Sequence, residues 1–120
     1  MPPRFKSRRT DILQTRASQA VGGPTNSDKT IATRSATLIE VWVNVFDVGV
    51  AGVLDVFYDI LPDGVTQVEQ LSSTGITTTG LTKVGVLSVG DKDAIGLAGR
   101  ARWTVAVNAV EFEIFALVRE

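Results

Sequence analysis

The sequence predicts an all-β protein: an antiparallel β-sandwich or jelly roll of about six to eight strands with an extended N-terminal arm. Three observations carry this. From residue 37 onward, apolar and polar side chains alternate with the period of two that a half-buried strand requires. Clusters of Gly, Pro, Asp, Ser and Thr punctuate the alternation at short intervals, and no long amphipathic helix or internal repeat interrupts it. Residues 1–35 break the pattern, being basic, polar and poor in large apolar groups.

In chain order, Pro2, Pro3, Gly22, Gly23 and Pro24 stand among Ser, Thr, Gln and Arg over residues 1–27. Such a segment buries too little apolar surface to offset its ordering entropy, so an extended arm is expected. Its one apolar spot is Asp11-Ile12-Leu13-Gln14, and Gly22-Gly23-Pro24 reads as a hinge. Lys29–Arg34 is a short strand candidate. Thr37–Val48 places Ile39, Val41, Val43 and Val45 on one face and Glu40, Trp42, Asn44 and Phe46 on the other. A turn over Gly49–Gly52 leads to Val53–Leu61, where Leu54, Val56, Tyr58 and Ile60 oppose Asp55, Phe57 and Asp59. Pro62-Asp63-Gly64 is a turn, Pro pre-setting φ and Gly accepting a positive one. Thr66–Leu71 and Leu81–Val89 are strands around a Ser/Thr/Gly-rich loop. Gly90–Gly99 is a connection with a short helical turn around Asp91–Leu97. Arg100–Ala109, with Ala101, Trp103, Val105 and Val107 on one face, and Val110–Arg119, with Phe112, Ile114, Ala116 and Val118, close the chain as a hairpin.

Two regions follow: an arm and hinge over 1–35 and a sandwich body over 36–120. The arm holds seven basic residues against Asp11 and Asp28; the body holds five basic and eleven acidic residues. A total of −1 therefore conceals a basic arm on an acidic body. A body of about 85 residues is foldable but marginal, so partner subunits would help it.

Composition narrows the chemistry. The chain has no cysteine and no histidine, so thiolate metal sites, disulfides and the commonest general base are all missing. No apolar run approaches the roughly 20 residues of a membrane span, and the N-terminus lacks the apolar stretch of a signal peptide. No nucleophile–base pair is recognisable, and an enzyme is not expected. Gly85 to Lys92 has the look of a phosphate loop, but Asp91 stands where Lys should follow Gly90. Asp55, Asp59 and Asp63, or Asp91 and Asp93, are oxygen ligands suited to a hard cation, yet neither group has an ordered calcium-loop pattern. They are better read as solvated strand and turn residues; no metal or cofactor is expected.

Two surfaces point to association. Arg4, Lys6, Arg8, Arg9 and Arg16, with Ile12 and Leu13 as an apolar anchor, suit an arm that docks on acidic protein surface. The same cluster would contact nucleic-acid phosphates, but the body offers no matching basic face and Phe5 is the arm's one aromatic. Trp42, Phe46, Phe57, Phe115 and Leu117 fall opposite the aliphatic stripe and would line subunit contacts.

Four segments carry a resemblance: Pro62-Asp63-Gly64, Thr74-Gly75-Ile76-Thr77-Thr78-Thr79-Gly80, Lys83-Val84-Gly85-Val86-Leu87 and Arg100-Ala101-Arg102-Trp103-Thr104-Val105. On these, residues 37–120 resemble small β-sandwich structural proteins of tailed bacteriophages, of the head decoration or cement kind. The resemblance implies a virion component made in the host cytoplasm. It would be a homo-oligomer, a trimer as first guess, docked on major capsid protein or neighbouring virion subunits. A head-completion or tail component, a nucleic-acid-binding module with a basic arm, and a carbohydrate-binding sandwich are the alternatives. The last needs aromatics in loops, whereas Trp42 and Trp103 sit mid-strand.

Overall fold

A computed structural model of the chain describes residues 8–88 and 95–120. Arg4, Lys6, Asp91, Lys92, Asp93 and most of the expected helical turn lie outside the described residues. Within them the fold is all-β, with eight strands: β1 Arg8–Gln19, β2 Gly22–Ala32, β3 Leu38–Asp47, β4 Val53–Leu61, β5 Val68–Ile76, β6 Gly80–Ser88, β7 Ala98–Ala106 and β8 Val110–Arg119.

The strands form two four-stranded sheets, ordered β1-β8-β3-β6 and β2-β7-β4-β5, and every pairing is antiparallel. Strands β1 and β2, β8 and β7, β3 and β4, and β6 and β5 occupy matching positions in the two sheets. This is a ribbon folded over itself, the jelly roll that two Greek keys produce. The aliphatic stripes of β3, β4, β7 and β8 face one another across the sandwich, and their hydrophobic burial is the main stabilising term. Trp103 and Phe112 meet edge to face between the sheets, centroids 5.3 Å apart at 77°.

Residues 8–32 differ from the expected arm: they are edge strands of the two sheets. β1 pairs with β8 and β2 with β7. Their sequences read as disordered because edge strands contribute few side chains to the core, here Leu13, Ser27 and Ile31 among the buried ones. Backbone pairing with an already apolar partner strand supplies what composition lacks. The two edges are stitched by Gln14 and Asp28: the Asp28 N–H donates to Gln14 Oε1 at 2.9 Å, and the Thr15 N–H to Asp28 Oδ1 at 3.4 Å.

Turn chemistry accounts for the connections. Gly64 has φ 81° and its N–H donates to the Leu61 carbonyl at 3.1 Å. Asp63 accepts from the N–H groups of Thr66 and Val65 and from the Thr66 hydroxyl at 2.6–2.9 Å, which lowers its pKa to about 2. Thr33, buried after β2, donates from its hydroxyl to the Gly96 carbonyl at 3.1 Å, fastening the β2–β3 loop to the start of β7. Val107, expected to face inward on a strand, is instead exposed in the β7–β8 turn at φ 71°. The expected strand Thr66–Leu71 is displaced to Val68–Ile76, because Asp63 holds Val65 and Thr66 in the turn.

Candidate docking face

The outer surface of the first sheet carries the largest group of outward apolar residues that the sequence reading singled out. Register places them in two cross-strand rows. One runs Ile12, Phe115, Trp42, Lys83 across β1, β8, β3 and β6; the next runs Thr10, Leu117, Glu40, Val86. Ile12 is 38% exposed, Leu117 36% and Val86 41%, while Phe115 and Trp42 are half-buried by their neighbours. Opposed aromatics such as Trp42 and Phe115 stabilise a sheet face directly.

Cations fringe this face. Lys83 Nζ lies 5.2 Å from the Trp42 ring centroid and 3.4 Å from Glu40 Oε1. At the other end the Arg16 guanidinium stacks 3.6 Å from the Phe46 centroid and its Nε donates to Glu111 at 2.7 Å. The Trp42 indole N–H is buried without an acceptor among the described residues. Leaving such a donor unpaired costs about 1–3 kcal/mol.

Trp42, Phe46, Phe115 and Leu117 thus share one surface. Phe57 does not: it belongs to β4 and faces outward from the second sheet, pairing with Arg102 of β7. Alternation tells which side chains point away from the core, but both sheets have an outside. The Arg102 guanidinium covers Phe57 at 4.4 Å and bonds Asp59 Oδ2 at 2.7 Å and Glu69 Oε1 at 2.5 Å. Val86 is the residue that sequence reasoning missed. Its parity matches that of buried Val84, but an irregularity opposite Val41/Trp42 offsets the register and turns Val86 outward.

The expected arm contacts are made largely within the chain. Arg9 bonds Asp11 at 2.6 Å, and also Glu120 and the Ala32 carbonyl; the Asp11 bond is the main reason its pKa is raised. Leu13 is fully buried and is a core residue, not an exposed anchor: in β1 it alternates with outward Ile12 and so faces the core. Ile12 stays on the outer face, and Arg8 is exposed at the start of β1.

The aspartates do not converge on a cation. Asp55 accepts from the Gly75 N–H and the Thr104 hydroxyl, Asp59 from Arg102 and Gln67, and Asp63 from its own turn. Among the described residues no group of three potential metal ligands is assembled. No helix among them is long and apolar enough to cross a membrane.

No known family profile and no curated protein matches the sequence. Solved structures share the fold. The SPBc2 prophage-derived protein YomS superimposes with a TM-score of 0.68 at 5% identity, over 100% of this chain and 99% of that one. A chain of the T13 IBDV viral particle superimposes with a TM-score of 0.54 at 14% identity, over 94% of this chain but 31% of that larger one. The small jelly roll is therefore an architecture found as a nearly whole prophage-derived chain and as part of a viral-particle chain.

Proposed function

We propose that this chain is a structural subunit of a viral particle, a decoration or cement protein of a tailed phage that docks on the head lattice. The observation that carries the reading is the outer face of the first sheet. Ile12, Phe115, Leu117 and Val86 form exposed or half-exposed apolar surface around Trp42, fringed by Lys83 and Arg16. Apolar residues gathered on neighbouring strands of one sheet face, with charged residues between and around them, are what a lattice contact needs. The shared jelly-roll fold supports the reading, as does a composition without histidine or cysteine. Arg4, Lys6 and Arg8 extend the contact toward lattice carboxylates. Arg9 and Arg16 already hold carboxylates of this chain, which favours a protein partner over nucleic acid.

Co-sedimentation of the purified protein with heads and, separately, tails of the source phage tests this. Saturable binding to heads is expected, weakened at least about tenfold by Leu117→Ala with Val86→Ala, two truncations on an exposed face. Binding to tails alone moves the chain to the tail role, and binding to neither overturns the proposal.

A further inference from the structure

The sandwich has a second candidate surface, bordering the apolar face, at the seam between its edge strands. Above the Gln14–Asp28 stitch, β1 and β2 diverge and leave an open cleft of about 740 Å³. One wall is Arg9–Ile12 of β1, the other Lys29–Ala32 of β2, with Arg34 and Ser35 at the rim. Each four-residue wall is roughly 13 Å long. Both are edge strands: β1 is bonded to β8 and β2 to β7, so each turns the other side of its backbone to the cleft. The Ala32 carbonyl shows this, accepting from the Arg9 side chain instead of from a neighbouring strand.

Charge in the cleft is unevenly satisfied. Its carboxylates, Asp11 and Glu120, are both held by Arg9. Lys29 and Arg34 are exposed and make no ion pair among the described residues. Two uncompensated cations therefore flank a trough whose apolar lining includes Ile12 and Ile31. Unpaired strand edges accept an extended segment by strand addition, and the side pockets set which one. Nucleic acid suits the cleft poorly, since no aromatic side chain lines it for base stacking.

We propose that this cleft binds an acidic peptide segment in extended conformation, supplied by another protein chain. The proposal does not rest on the virion reading, and the site shares Thr10 and Ile12 with the edge of the apolar face. Its backbone edges align the peptide; Lys29 and Arg34 select carboxylates.

Fluorescence polarisation with the full chain tests it, using a labelled alternating glutamate–valine heptapeptide, its lysine–valine counterpart and a short oligothymidylate. The acidic peptide is expected to bind saturably, and raising salt from about 50 to 300 mM should weaken it several-fold. Lys29→Glu with Arg34→Glu, both on exposed positions, should weaken it by about tenfold or more. Lys83→Glu, on the other face, should leave it unchanged. Hydrogen exchange on the unaltered protein should show peptide-induced protection confined to residues 9–12 and 29–32. Absent binding, tighter binding of the oligothymidylate, unchanged binding by the double variant, or protection elsewhere each overturns the proposal.

Discussion

Replacing Arg102 with Leu isolates the one buried charge in the described structure. Asp59 is 1% exposed; its Oδ2 accepts from Arg102 Nε at 2.7 Å and Gln67 Nε2 at 2.9 Å, while Oδ1 is buried without a partner. Burial alone would lower the Arg102 pKa, but the bonds to Asp59 and Glu69 outweigh it and hold the guanidinium above its ordinary value. In the variant the Glu69 pair is also lost, but Glu69 is half exposed and such a pair contributes at most about 1 kcal/mol. Removing one member of a buried pair costs about 3–5 kcal/mol, because the other charge remains buried and uncompensated. For a chain of 120 residues the whole stability is about 6–18 kcal/mol, so the loss is a large share of it. Urea unfolding followed by tryptophan fluorescence should show that loss, with a Tm lower by about 10–20 °C. Asp59→Leu combined with Arg102→Leu should recover most of it, since apolar replacement of a buried pair is often neutral. A cost below about 1 kcal/mol for the single variant, or a double variant as unstable as the sum, would refute the reasoning.

Three further outcomes follow from the same packing. Leu13→Ala should destabilise by about 2–5 kcal/mol in urea melts, because Leu13 is a fully buried core residue; a free arm would show no change. Gly99→Ala should cost about 1–3 kcal/mol or more, since a methyl group there runs into the Tyr58 hydroxyl; an unchanged midpoint would mean that Tyr58 moves aside freely. Burial, and then the Asp59 charge, push the Tyr58 pKa well above the usual phenol value. The folded state then holds its proton more tightly, so this stabilisation is complete below about pH 10 and is lost as pH rises further. Tyr58 is the sole tyrosine, so absorbance at alkaline pH should show tyrosinate appearing together with unfolding; earlier ionisation in the folded protein would contradict the burial argument.

The sequence disclosed the strands that bury one whole face. Ile39 to Val45, Leu54 to Ile60, and the Ala101 and Phe112 stripes announce their sheet positions by alternation, and Pro62-Asp63-Gly64 announces its turn. Lys29–Arg34 marked the end of β2, but β1 and the rest of β2 were illegible because their order comes from partners remote in sequence, β8 and β7, rather than from their own side chains. The apolar outer face was legible in part. Trp42, Phe46, Phe115 and Leu117 read correctly as outward residues, but nothing local says that Phe57 belongs to the other sheet. Ile12 joins the face only through the pairing of β1 with β8, and Val86 only through the irregular register in β6. The cleft is a product of tertiary structure alone: Lys29 and Arg34 are unremarkable charges until β1 and β2 part around them.

A density map of the assembled phage particle tests the central claim most directly. The account predicts one jelly roll per decoration position, with Leu117, Val86 and Ile12 of the first sheet against the head lattice. Particles without the chain, or with that face turned to solvent, would contradict it.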